Sequence, residues 1–232
     1  MCGRYQLVSD PCASLEAMGI HSRLSGAWRP RWNIAPHQPC PVVHLPAGGK
    51  AVLTEMRWGY VPHWVGEENP RAQPINARQE SVAGKPYFRE SLHHRRCVIP
   101  ATGFYEWQQR EGGKQPWLIS GQEPFLYMAG IWDTWHRPSG SLDTFATLTT
   151  RATGPMARIH HRMPVLLPRE RIHDWLAAYE PELMEATESK EYAELTPRPI
   201  TTAINNPRND SPEAVVEQED KGSLSGHSDP EG

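Results

Sequence analysis

The 232-residue sequence has no apolar run of about 18 residues, the length a bilayer-crossing helix requires. Its start lacks the basic-then-apolar pattern of a secretory leader, so the expectation is a cytoplasmic protein with no membrane partner. Cysteine is scarce: four residues, at positions 2, 12, 40 and 97, none in a CxxC pair. That spacing suggests neither a zinc ribbon nor a thioredoxin-type motif, and in a reducing compartment free thiols are favoured over disulfides. A strong charge of either sign is missing as well. The formal net charge is −3, but residues 211–232 carry −5 of it, which leaves the rest about +2. A mildly basic body neither demands nor forbids a nucleic-acid partner. Internal repeats and linker-like stretches are absent, and the length suits one sizeable core. The expected organisation is one domain over residues 1–210, followed by a disordered acidic tail over 211–232.

Helical periodicity is rare. Residues 11–24 space Leu15, Met18 and Leu24 along one face. Residues 168–184 begin at a proline and place Ile172, Trp175, Leu176 and Tyr179 at three-and-four spacing. What is plentiful is short, β-branched or aromatic segments bounded by turn residues: PVVHL, AVLTEMRWGY, CVIPATGFYEW, QPWLIS, PFLYMAGIWDTW, TFATLTT and MPVLLP. A hairpin is expected to turn at Gly112-Gly113. Strands that do not alternate with helices argue against a doubly wound parallel sheet. They predict a mixed, mostly antiparallel β architecture with a few peripheral helices.

Several segments carry side chains suited to chemistry. The chain begins MCGRYQ. Loss of Met1 would give Cys2 a free α-amine beside its thiol, with ordinary pKa values of about 7.7–8.0 and about 8.5. Such a 1,2-aminothiol can condense with an aldehyde and close a thiazolidine ring; a chance second residue is the ordinary alternative. RPRWNIAPHQP (29–39) reads as a rigid loop, with Asn33 available to backbone groups and Pro36 as a stiff wedge. In MRWGYVPHW, Trp58 and Tyr60 alternate toward one face, and Trp64 beyond the turn is a ring that could stack on a base or pack in a core. Asn76 and Arg78 lie in PINARQES, an amide and a phosphate-clamping guanidinium, with Glu80 as an alternative surface partner for Arg78. Glu106 is flanked by Tyr105 and Trp107, which point to the opposite face, so it lies in solvent or in an enclosed polar site. Enclosure would raise its pKa and suit it to proton transfer. His160 and His161 are adjacent and, in an extended segment, would face opposite ways, so they would not converge on a metal; one is free for proton transfer.

Taken in order, MCGRY, WNIAP, WGYVPHW, INARQES, CVIPATGFYEW, KQPW, MAGIW, TLTT, IHHRMPVLL and INNPRND resemble the SOS-response-associated peptidase (SRAP) family over about residues 1–210. The resemblance implies an α+β, barrel-like single domain; neither a metal nor a cofactor is expected. It implies a protein that senses abasic sites in single-stranded DNA and crosslinks to them through Cys2 after Met1 is removed, with self-processing and weak lyase activity alongside. It carries catalytic roles onto Cys2, Asn76, Glu106 and His160, and DNA contacts onto Arg4, Asn33, Pro36, Trp64, Arg78 and Thr149. A monomer is the default, nucleoid association is expected in a bacterium, and a replication-associated partner is left open. The chain departs from the family pattern in three places: one tryptophan where His63-Trp64-Val65 stands against a pair, His161 in place of an acidic residue, and Lys85 as the nearest basic residue after INAR. Two other readings remain: an N-terminal-nucleophile cysteine peptidase or amidohydrolase, and a non-enzymatic single-strand-binding module.

Overall fold

A computed structural model describes residues 2–68, 70–179, 192 and 194–220. The chain enters through β1 (Tyr5–Leu7), α1 (Cys12–Glu16), β2 (His21–Ser22) and β3 (Arg31–Ile34). It continues through β4 (Pro39–His44), β5 (Val52–Trp58), β6 (Asn76–Arg78), α2 (Gln79–Val82) and α3 (Pro86–His94). The central strands are β7 (Arg96–Ala101), β8 (Gly103–Arg110), β9 (Gly113–Ser120), β10 (Leu126–Arg137) and β11 (Gly140–Arg151). Then come β12 (Arg162–Pro164), α4 (Ile172–Ala177) and β13 (Thr196–Pro199).

Five strands form a closed ring. Antiparallel pairs link β11 to β10, β10 to β7, β7 to β4 and β4 to β5. A parallel pair, Arg57 with Thr144 and Trp58 with Phe145, returns β5 to β11. Closure removes the exposed edges an open sheet would leave. A second sheet, ordered β13-β9-β8-β1-β3, packs on it. Alternating side chains divide the burial. Tyr5, Leu7, Phe104 and Ile119 meet Trp58, Ile99, Met128 and Phe145 between the sheets. Val43, Leu53, Val98 and Leu148 meet Leu15, Phe88, Leu92, Ile172 and Trp175 from the helices. Arg96, itself buried, ties two helix ends together: its guanidinium donates to the carbonyls of Leu92 and His93 in α3 and of Trp175 and Leu176 in α4.

The strand-rich α+β expectation holds, and so do the buried positions of α4. The hairpin turns one residue earlier than expected, through Glu111-Gly112, since Arg110 pairs with Gly113. The segment 29–39 contains a strand: Ile34 and Arg31 pair with Tyr5 and Leu7, a partner local composition could not reveal. The helix expected over 11–24 spans only Cys12–Glu16, because Gly19 at φ 72° reverses the chain. Trp58 and Tyr60 do not share a face. Gly59 at φ 138° turns the strand, so Trp58 enters the inter-sheet core and Tyr60 the helix-side core. The part of the 168–184 helix beyond residue 179 lies outside the described residues. Residues 211–220, assigned by composition to the tail, pack against the body. A 3-10 turn at Pro212–Val215 buries Ala214 and Val215 beside Tyr105 and Ile204, two apolar side chains concealed within the acidic run. Residues 221–232 lie outside the described residues.

Candidate active site and nucleic-acid face

The four side chains expected to be catalytic come together. β1 pairs with β8 through Tyr5–Phe104, and the Tyr105 amide donates to the Arg4 carbonyl at 3.0 Å. That ladder, continued toward the N-terminus, brings Gly3 level with Glu106. Asn76 arrives on β6, where the parallel ladder sets it against Thr147 of β11, and its Nδ2 donates to the Cys2 carbonyl at 2.8 Å. No hydrogen bond reaches the buried Asn76 Oδ1 among the described residues. His160 Nδ1 stands 3.8 Å from Glu106 Oε2. The same Nδ1 lies 3.0 Å from the Arg162 amide and 3.1 Å from the Arg162 carbonyl, which fix the orientation of the ring.

Burial governs the electrostatics. Glu106 is 2% exposed, and loss of water pushes its carboxyl up to about 7, the enclosed case of the two anticipated. Tyr105 and Trp107 pack on the far side of β8, as the alternation required. Burial lowers the His160 imidazole, which is therefore neutral at pH 7. The Cys2 thiol, fully buried, is held well above its ordinary value, first by burial and then by the Glu106 carboxylate. Its Sγ contacts the Arg4 carbonyl at 3.8 Å.

His160 and His161 do not face opposite ways. Their ring centroids are 4.3 Å apart at a 35° tilt, because they lie in the turn between the 3-10 helix Gly154–Arg158 and β12 rather than in a strand. Among the described residues, no three His, Cys, Asp or Glu side chains are grouped to hold a metal.

The residues expected to touch DNA divide into two groups. Trp64 is 58% exposed and stands edge-on to Tyr87 at 5.7 Å. Its loop is pinned from below: buried Asp133 accepts from the His63 amide at 3.0 Å, lies 2.9 Å from His63 Nδ1, and is paired with Arg95 at 3.0 Å. Arg78 is exposed at the end of β6. Glu80 is taken by Arg162, at 2.6 and 2.9 Å, so it does not compete for the Arg78 guanidinium. Pro36 is half-buried, and exposed Lys85 precedes α3. Asn33 and Thr149, by contrast, are fully buried. Asn33 Nδ2 lies near 3 Å from the carbonyls of Ile204, Asn206 and Asn209, and its Oδ1 accepts from Arg4 at 2.6 Å. Thr149 lies under the Arg162 guanidinium. Neither presents a surface to nucleic acid. Arg4 is also engaged by the Ile204 and Asn205 carbonyls, at 3.0 and 3.3 Å. Sequence reasoning did not single out Arg162 or Asp133: Asp133 lies within a segment read only as a strand, Arg162 directly follows the two histidines that drew the attention there, and the roles of both appear once the strands are paired.

The fold and site thus define a protein with a cysteine-led N-terminal segment anchored on a β-barrel, beside one enclosed carboxyl and one neutral imidazole. A family model described as SOS response associated peptidase (SRAP) matches residues 1–207, and the chain belongs to that family. It is 33% identical over 222 residues to abasic site processing protein YoqW of Bacillus subtilis (strain 168), covering 93% of this chain and 99% of that one. It is 36% identical over 225 residues to abasic site processing protein HMCES of Gallus gallus, covering 82% of this chain and 67% of that one. A solved structure from Bacteroides thetaiotaomicron shares the fold, with a TM-score of 0.77 and 24% identity over 94% of this chain and all of that one. A phage-related protein from Bordetella bronchiseptica superposes with a TM-score of 0.70 at 28% identity, covering 87% of this chain and 95% of that one. No helix among the described residues is long and apolar enough to cross a membrane.

Proposed function

We propose that this protein captures abasic sites in single-stranded DNA by forming a thiazolidine between Cys2, freed of Met1, and the ring-opened sugar. The observation that carries the reading is the meeting of Cys2, Asn76, Glu106 and His160 at one enclosed place.

The neutral His160 imidazole relays a proton as the deoxyribose opens: the C1′–O4′ bond breaks, the ring oxygen gains a proton from the imidazole and the C1′ hydroxyl gives its proton back, leaving the aldehyde. The α-amine of Cys2 adds to C1′, giving a carbinolamine. Glu106, near 7, works in both protonation states: it takes a proton from the attacking nitrogen and returns it to the departing hydroxyl, which leaves as water. Asn76 holds the Cys2 carbonyl through Nδ2, and its Oδ1 is an acceptor for the amine or the carbinolamine hydroxyl. The thiol then adds to the imine: the S–C1′ bond forms and the thiol proton ends on nitrogen. Release of Met1 with help from Glu106, and β-elimination of the 3′ phosphate from an imine that fails to close, are the accompanying self-processing and lyase activities. Holding amine and aldehyde together supplies up to about 7–11 kcal/mol toward the barrier.

The cysteine-peptidase reading is disfavoured by the buried thiol. A thiolate nucleophile needs its pKa lowered, and here burial moves it upward. The amine-first order uses a neutral thiol until the electrophilic imine is in place. A single-strand oligonucleotide with one abasic site tests the reading: a gel-shifted band that survives heating in detergent is expected. Cys2→Ala should lose it and Cys2→Ser should give a reversible adduct. Peptide turnover without an adduct would support the hydrolase, and a band on native gels alone would support a simple binding module.

A further inference from the structure

Arg110, beyond the catalytic constellation, is held in a way that no part of the mechanism uses. It lies on β8 four residues past Glu106, so its side chain leaves the same face of the strand. Its Nε donates to Gln108 Oε1 at 2.8 Å, and its guanidinium lies 5.6 Å over the Trp117 ring. Gln108 is fixed in turn by the Arg158 carbonyl at 2.8 Å. A guanidinium fastened at Nε and on one face has its terminal nitrogens left to present to an anion. The anion is the chain's own: Arg110 Nη2 donates to Asp220 Oδ1 at 2.7 Å. Asp220 stands at the end of a segment secured by the Ile200–Glu217 bridge and by the Gln218 amide on the Pro199 carbonyl at 2.9 Å. A small cavity bounded by Gln108, Arg110, Trp117, Arg158 and Asp220 lies beside them. Arg158 precedes His160 by two residues, so this cavity adjoins the catalytic groups.

We propose that Arg110 is a phosphate subsite for the DNA strand engaged at Cys2, and that Asp220 occupies it in the resting protein as an internal competitor. Arg110 is four positions from Glu106, about 13 Å along a strand, and its guanidinium is drawn back onto Gln108, halfway to Glu106, so the subsite falls on a phosphate near the captured sugar. A phosphodiester offers the fork the same paired oxygens as a carboxylate. The Arg110–Asp220 pair is exposed enough to exchange, with side chains 25% and 37% accessible. The acidic segment thus filters ligands: a strand must displace Asp220 before it settles, which an abasic strand drawn onward by covalent capture does and a weakly held one does not. This inference rests on the strand-binding reading above.

The test measures binding of an undamaged single-stranded oligonucleotide at low ionic strength, in the full chain, with adduct formation on an abasic oligonucleotide recorded for the same proteins. Asp220→Asn should bind about two- to fivefold more tightly, the range of an exposed ion pair. Arg110→Gln should bind more weakly, and its slope of log affinity against log salt should be shallower by about 0.7, one single-strand phosphate contact. Asp220→Asn in the Arg110→Gln background should add nothing. Equal affinities for wild type and Asp220→Asn, or a gain that persists without Arg110, would overturn the subsite. If wild type forms the adduct while the variants bind alike, the subsite alone fails. If wild type binds no strand, the functional reading fails with it.

Discussion

Glu106→Gln should make the fold more stable while abolishing its chemistry, and the gain should depend on pH. The carboxyl titrates near 4.5 in an exposed chain and at about 7 in the folded protein, because burial removes the water that would solvate the anion. Below about pH 4.5 both states are protonated and the group is neutral in effect. As pH rises through the interval, the unfolded chain ionises first, so the folded state loses ground until the native carboxyl has also ionised. At about 1.4 kcal/mol per tenfold change in proton affinity, the interval amounts to about 3 kcal/mol. Glutamine keeps the shape and hydrogen-bonding capacity of the neutral acid without that penalty. For a chain of this size the gain corresponds to about 6–12 °C in melting temperature. Thermal or urea unfolding of wild type and variant at about pH 4 and about pH 8 measures it. Coincident curves at the lower pH and a variant stabilised at the higher one are expected. A variant no more stable than wild type at the higher pH would refute the claim that the carboxyl is desolvated.

Asn33→Ala should lower stability by about 1–3 kcal/mol in urea unfolding, the cost of leaving buried polar groups without partners; an unchanged midpoint with weakened DNA binding would instead make it a contact residue. Trp64→Ala should do the converse, costing about 1–3 kcal/mol of single-strand affinity through a lost stacking ring and leaving the unfolding midpoint in place. Adduct formation should accelerate as pH rises through about 7, where Glu106 gains its base form and the terminal amine loses protons; a flat rate profile would remove both groups from the slow step.

The strands were legible because their apolar content is local: PVVHL and PFLYMAGIWDTW declare themselves without knowledge of any partner. Ring closure was not, since the pairing of Trp58 with Phe145 joins positions far apart in sequence. Glu106 was legible as a choice between solvent and enclosure, and β1 settles the choice by running alongside β8. Asn33 and Thr149 were misleading for one reason. A polar side chain in a recurring motif reads the same whether it serves a ligand or the fold, and only the carbonyls of Ile204, Asn206 and Asn209 around Asn33 distinguish the two. The two histidines were misplaced because a turn was read as a strand. Ala214 and Val215 were overlooked because two apolar residues barely alter the composition of an acidic stretch.

The most direct test of the central claim is the intact mass of the protein after incubation with an abasic oligonucleotide, followed by mapping of the attached residue. One species is expected, equal to the chain without Met1 plus the oligonucleotide less one water, formed without a reductant and attached at Cys2. A chain that reacts with Met1 still in place, or an attachment mapped to any other residue, would contradict it.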